Sequence, residues 1–290
     1  MKVMSDIFLQ EDISNLLHNK FVVFIGDSIV RAIYKDIVLL LQKNQYLKDG
    51  HLRAKGEMSF EKDELIEGGR KGIMNNGIQY REVRQFKSDW HLVRFYFATR
   101  CYNTYIESVL ADLQEQPKPD LVVMNSCLWD ISRYGKCGVD EYKRNLVKLF
   151  DRFQETLPPE CLLIWTSTLP ISKNARGGFL VPEVEFMNSS LRLDILEANF
   201  YAREVVVKHG YDMVDLHFYL RNQLHRRAHD GIHWDMTAHR RITNLLLTHV
   251  SEAWNEKLPG RSLRRQSLIA RDENENFVSN LEGVPGHWEE

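Results

Sequence analysis

Residues Phe21–Tyr34 read FVVFIGDSIVRAIY. Five consecutive apolar residues, Phe21 to Ile25, form the short continuous run of a strand buried on both faces. Gly26, Asp27 and Ser28 interrupt it, and from Ile29 the apolar positions take helical spacing through Ile33, Ile37 and Leu40. A strand, a turn opened by glycine and a serine at a helix start is how a fold presents a nucleophile. Gly26 lets the chain bend and approach other backbone closely, because it has no Cβ. The amides of the first helical turn lack internal acceptors and can donate to an oxyanion beside Ser28. The stretch reads equally as a helix that Ser28 merely caps.

The surrounding chain narrows the class. Its 290 residues hold one large α/β domain plus tails. A net charge of -2 gives no reason to expect nucleic acid or an anionic membrane as partner. The apolar runs are too short for a membrane span. The N-terminus, MKVMSDIFLQEDISNLLHNK, is acidic and amphipathic rather than a secretory signal. Cys101, Cys127, Cys137 and Cys161 lack metal-type pairing, which points to free thiols and a cytoplasmic or nuclear location.

Taken in order, residues 1–19 read as a helical lead-in, 20–258 as the domain, and 259–290 as a polar, disordered tail. Ser59–Ile66 is expected as a brief helix and Glu67–Gly77 as a glycine-rich loop. Arg81–Lys87 and His91–Thr99 read as a hairpin. Leu121–Met124, Cys161–Trp165 and Tyr211–Val214 are further strands, separated by helical patterns. Val184–Val207 and Met236–Trp254 carry the longest of the later ones. Such alternation implies a mostly parallel sheet covered on both faces, with ligands bound beyond the carboxyl ends of its strands.

Arg227–Arg241 reads RAHDGIHWDMTAHRR. Three positions apart around Gly231, Asp230 can reach one ring nitrogen of His233 and leave the other for a hydroxyl. Otherwise Asp230 caps the following helix and His233 packs beneath Trp234. His225, His229 and His233 stand four apart, a metal-binding spacing only on an unbroken helix, which Gly231 interrupts. Neither a phosphate loop nor a dinucleotide fingerprint occurs, and no metal or cofactor is implied.

Together, Gly-Asp-Ser after the first strand and Asp-Gly-Ile-His before the last helix resemble the SGNH/GDSL hydrolases. The extension to Gly-Asp-Ser-x-x-Arg at Gly26–Arg31 and the stretch NSCLWDISRYG at Asn125–Gly135 are similar to the PC-esterase domain-containing proteins. The resemblance covers about Lys20 to Leu258. It implies a flavodoxin-like three-layer α/β/α fold with a five-stranded, mostly parallel sheet. It also implies a serine esterase site, with Ser28 as nucleophile, His233 as general base and acid, and Asp230 as its orienting partner. Gly26 and Asp27 of the turn are expected, with Asn125, Ser126, Arg31, Thr99 and Gly69, to contribute to oxyanion or substrate binding.

Where such enzymes carry Gly-x-Asn-Asp after the third strand, this chain has Asn125 and Ser126, with the asparagine out of register. Gly69 is the candidate for the second-block glycine, although Thr99 follows the second strand more directly. Arg31 either binds a substrate anion or sits on a solvated helix face. The expected substrate is an acyl ester or acylated sugar. The alternative is a catalytically weak domain that binds a protein partner through its cleft or C-terminal tail.

Overall fold

A computed structural model describes residues 6–69, 77–135, 137–173, 175 and 182–256. The chain opens with helix α1 (Gln10–Leu16), strand β1 (Lys20–Gly26), helix α2 (Ser28–Leu40) and the short helix α3 (Asp49–Arg53). Strands β2 (Glu64–Gly68), β3 (Glu82–Lys87) and β4 (His91–Phe97) follow. Next come α4 (Thr104–Gln114), β5 (Leu121–Met124), α5 (Leu128–Arg133), α6 (Gly138–Thr156) and β6 (Leu162–Thr166). After a 3-10 segment at Pro182–Ser189, the domain closes with α7 (Leu191–Lys208), β7 (Asp212–Val214), α8 (Leu216–Leu220) and α9 (Met236–Ala253).

These strands form one sheet in the order β2-β3-β4-β1-β5-β6-β7. β4, β1, β5, β6 and β7 run parallel, and β3 and β2 extend the β4 edge antiparallel to one another. β1 is therefore buried on both faces, as its unbroken apolar run requires. Its side chains alternate between the layers. Val22 and Phe24 join the core of α1, α2 and α9, while Phe21, Val23 and Ile25 join that of α4 to α7. The result is a doubly wound α/β/α domain. Among the described residues no helix is long and apolar enough to cross a membrane.

The five parallel strands are those read from the sequence, and β3 is the other arm of the expected hairpin. The count of five is corrected to seven by β3 and β2. In place of the helix expected at Ser59–Ile66 stands the edge strand β2, whose residues are mostly exposed. An edge strand with little buried side-chain surface shows no apolar alternation, so its backbone ladder is what defines it. Gly68 is required there: its φ is +68°, and a Cβ would lie 2.1 Å from the Arg81 carbonyl oxygen. The expected helix Val184–Val207 divides into the 3-10 segment and α7. The tail at 259–290 lies outside the described residues.

Lead-in and domain pack together. The Phe8 amide donates to Asn244 Oδ1 on α9 at 3.1 Å, and Phe8 and Ile13 are buried in the α2–α9 core.

Candidate functional site

Ser28 occupies the first helical position of α2, directly beyond the end of β1. Asp27 caps the helix, its Oδ1 accepting from the Ile29 amide at 2.8 Å. Burial raises the Asp27 pKa, against the lowering influence of the Ile29 amide, of His233 and of Arg31. With Asp27 holding the Ile29 amide, the Ser28 N–H remains without an acceptor among the described residues. Gly26 makes the turn possible, because a Cβ there would lie 2.4 Å from Val30 Cγ2 and 2.6 Å from the Asn125 carbonyl oxygen.

The second half of the site arrives from the β7–α9 connection. Ala228 N donates to the His233 carbonyl at 2.8 Å and Asp235 N to the Arg226 carbonyl at 2.9 Å, which fixes a small loop around Gly231. Gly231 has φ +76°, a conformation that favours glycine. Asp230 Oδ1 accepts from the Ile232 and His233 amides, both at 2.9 Å, and Oδ2 accepts from His233 Nδ1 at 2.7 Å. Burial alone would raise the Asp230 pKa. The hydrogen bonds from the His233 ring and the two amides outweigh it and hold the carboxyl well below the usual carboxylate range. Trp234 is buried in the core, whereas the neighbouring His233 side chain is 46% exposed. His233 therefore faces the cleft rather than packing beneath the tryptophan.

The two halves meet. Ser28 Oγ lies 2.8 Å from His233 Nε2, across 205 positions of sequence. With Asp230 receiving the Nδ1 proton, Nε2 is the acceptor for the serine hydroxyl. Ser28, His233 and Asp230 thus form a continuous hydrogen-bonded line in the geometry of an activated nucleophile.

The remaining residues singled out in the sequence are placed otherwise. Asn125 does not offer its amide to the cleft. Its Nδ2 donates to the Thr166 carbonyl at 2.7 Å and to Thr168 Oγ1 at 3.3 Å, joining the ends of β5 and β6. Ser126 is buried and donates to Asp130. Gly69 N–H donates to the Arg81 carbonyl at 3.0 Å, so it is held in the β2–β3 hairpin. Thr99 donates its hydroxyl to the Ile78 carbonyl at 2.8 Å, which makes the Tyr134 hydroxyl, also at 2.8 Å, the donor to Thr99 Oγ1.

Arg31 is neither on a solvated face nor at the cleft. It is 6% exposed, donates to Glu82 Oε2 at 2.7 Å and lies over the Phe97 ring. Tyr80, Arg84 and Asp63 extend this buried network. The signal that could have located Arg31 is α2 itself, in which every residue from Val30 to Leu40 is buried.

Sequence reasoning missed Asp130. Its carboxylate accepts from the Cys101 amide at 2.9 Å and from Ser126 Oγ, tying the loop after β5 to the loop after β4. Burial pushes its pKa up to about 6, against those hydrogen bonds. No metal-ligating group of three His, Cys, Asp or Glu occurs among the described residues. The His225–His229–His233 spacing is broken by a 3-10 turn at Leu224–Arg226 and by the turn at Gly231.

The fold and these three side chains define a doubly wound α/β domain with a Ser-His-Asp constellation at the carboxyl end of its central strand. No family model matches the chain. Human PC-esterase domain-containing protein 1A is 52% identical over 256 residues, covering 88% of this chain and 56% of that protein. Human PC-esterase domain-containing protein 1B is 49% identical over 252 residues, with 86% and 58% covered. The chain is a relative of the PC-esterase domain-containing proteins, and it spans a little over half the length of those it matches.

Solved structures with a similar course include Axe2, an acetylxylan esterase from Geobacillus stearothermophilus. It has 14% identity and a TM-score of 0.46, with 81% of this chain and 95% of that chain covered. A GDSL-like lipase from Bacteroides thetaiotaomicron gives 15% and 0.47, with 81% and 89% covered.

Proposed function

We propose that the chain is a serine esterase that cleaves an acyl ester through an acyl-serine intermediate. The observation that carries this reading is the 2.8 Å approach of Ser28 Oγ to His233 Nε2, with Asp230 behind the ring at 2.7 Å. In the first step Ser28 Oγ attacks the ester carbonyl carbon and its proton passes to Nε2. The imidazolium that forms is stabilised by the Asp230 carboxylate. The carbonyl oxygen, now carrying the negative charge, accepts from the Ser28 N–H at the positive end of α2. Collapse of the tetrahedral species breaks the C–O bond, and the departing alcohol takes the proton from His233. Water then attacks the acyl-serine with His233 as base, releasing the acid and restoring Ser28.

Labelling with a fluorophosphonate probe tests this. Wild-type protein is expected to label at Ser28, and Ser28→Ala and His233→Ala to remain unlabelled. Equal labelling of all three proteins would remove Ser28 from the mechanism. A second reading, a weakly catalytic domain that binds a partner in the cleft, draws on the engagement of Asn125 with Thr166 and Thr168. A folded wild-type protein that neither labels nor hydrolyses p-nitrophenyl acetate would favour it.

A further inference from the structure

Past the carboxyl end of β4, the strand next to β1, lies a cavity of about 210 Å³ that the mechanism does not use. That is less than the roughly 300–1,000 Å³ of a pocket enclosing a whole drug-sized ligand, and it suits one polar group of a larger molecule. Its wall includes Arg81, Thr99, Arg100, Tyr105 and Tyr134. Thr99 stands two positions past Phe97, the register partner of Gly26, and Ala98 N donates to the Gly26 carbonyl at 2.8 Å. The cavity therefore opens at the same end of the sheet as Ser28, past the strand that neighbours β1.

Two arginines in its wall give it the chemistry of an anion receptor, against the Glu67 carboxylate; burial, and after it the Glu67 charge, raises the Tyr105 pKa. The Arg81 guanidinium lies 4.6 Å over the Tyr105 ring and has no carboxylate in ion-pair contact among the described residues. Arg100 lies 4.3 Å over the Tyr134 ring. It pairs with Glu141, but its Nε is buried without an acceptor among the described residues. Tyr105 is 9% exposed and lines the cavity, and its hydroxyl has no hydrogen-bond partner among the described residues. A buried hydroxyl left without a partner is costly, and a ligand oxygen there would relieve it. Tyr105 also belongs to the first turn of α4, whose amino end, capped by Asn103, favours negative charge. Gly69 N–H holds the Arg81 carbonyl, which fixes the backbone that carries this guanidinium.

We infer that this cavity is a subsite for an anionic oxygen group of the substrate, a carboxylate or a phosphate. Arg81 and Arg100 would hold it, with the Tyr105 hydroxyl donating. The inference rests on the esterase reading for its consequence, which is selectivity among esters. Anion binding itself can be measured without catalysis.

The test uses the full chain carrying Ser28→Ala, titrated by calorimetry with glucose 6-phosphate, glucuronate and glucose. At least one of the two anions is expected to bind saturably, one per chain, and about tenfold or more tighter than glucose. Arg81→Gln, an exposed position, is expected to weaken that binding about tenfold, and Tyr105→Phe several-fold. Binding of glucuronate alone assigns a carboxylate, and binding of glucose 6-phosphate alone a phosphate. Absence of saturable anion binding, equal binding of glucose, or an unchanged Arg81→Gln variant would overturn the subsite.

Catalysis separates the two readings. With Ser28 intact, kcat/KM for 4-acetoxybenzoate is expected to exceed that for phenyl acetate, and the ratio to fall in Arg81→Gln. Cleavage of phenyl acetate without anion binding defeats the subsite alone. Anion binding without cleavage of either ester defeats the esterase reading and leaves a binding site.

Discussion

Replacing Asp230 by asparagine tests the catalytic line at the point where geometry and charge separate. The carboxylate makes three contacts: Oδ1 accepts from the Ile232 and His233 amides, and Oδ2 accepts from His233 Nδ1. An asparagine oxygen can keep both amide bonds, so the Gly231 turn survives. Its NH2 then faces Nδ1 and can only donate. The ring responds by placing its proton on Nε2, the atom 2.8 Å from Ser28 Oγ. The serine then meets a donor instead of a base, and the imidazolium loses its counter-charge. A wrong tautomer of this kind lowers kcat by about 10⁴, or roughly 5 kcal/mol of transition-state stabilisation.

The assay is steady-state hydrolysis of p-nitrophenyl acetate together with the rate of fluorophosphonate labelling. Thermal melting followed by circular dichroism serves as the control for folding. The expected outcome is a large fall in kcat and in labelling rate with a melting temperature within a few degrees of wild type. Activity within tenfold of wild type would show that Asp230 does not set the ring's tautomer. Loss of the fold would show that the carboxylate's charge, and not the amide contacts that asparagine can keep, holds the Gly231 turn.

Three further substitutions probe the surroundings. Gly26→Ala places a methyl group 2.4 Å from Val30 Cγ2 and 2.6 Å from the Asn125 carbonyl oxygen, so chemical denaturation should show a loss of about 2 kcal/mol. A neutral result would mean that the β1–α2 turn yields freely. Arg31→Met leaves the buried Glu82 without its closest cation and bonded to Tyr80 and Arg84, a cost of about 3 kcal/mol, and adding Glu82→Gln should recover part of it. A double variant weaker than the single one would contradict this. Asp130 has a raised pKa of about 6, so its contribution to stability is full below the ordinary aspartate range and is lost as pH rises through 6. Between pH 7 and about pH 4.5, wild type should therefore gain about 2 kcal/mol relative to Asp130→Asn, and parallel pH profiles of the two would refute the shift.

The parts of the fold that the sequence discloses are those whose causes are local. Phe21–Ile25 declares a buried strand because burial on both faces demands an unbroken apolar run. The Asp230–His233 contact is legible because it closes within three residues around a glycine. The meeting of Ser28 with His233 is not local. It follows from the rule that parallel sheets gather their loops at one end, and from the resemblance that paired the two motifs. Arg31 escaped because its partner, Glu82, lies 51 positions away, and because burial on every side of α2 is a tertiary fact. β2 escaped because an exposed edge strand needs no apolar alternation. Sequence alone places Asn125 as an amide near the cleft, but its acceptors, Thr166 and Thr168, come from the end of β6 and the loop after it.

The placement of Asn125 bears on how fast such an esterase can be. Loss of one oxyanion donor costs about two to three powers of ten in rate, roughly 3–4 kcal/mol. Enzymes lower barriers by about 8–23 kcal/mol in all, so a site without that donor can still accelerate hydrolysis by many orders of magnitude. Proton transfer through His233 and the amide of Ser28 do not depend on Asn125. What the asparagine does instead is structural: it ties the ends of β5 and β6 together. Asp130 similarly ties the loops after β5 and β4. An esterase site arranged in this way would rely on rigid strand ends to aim few donors, and on binding contacts away from the oxyanion to hold the ester in place. On the proposed reading, that division of labour would give the cavity lined by Arg81 and Tyr105 a larger share in positioning the substrate than it would have with a complete oxyanion hole.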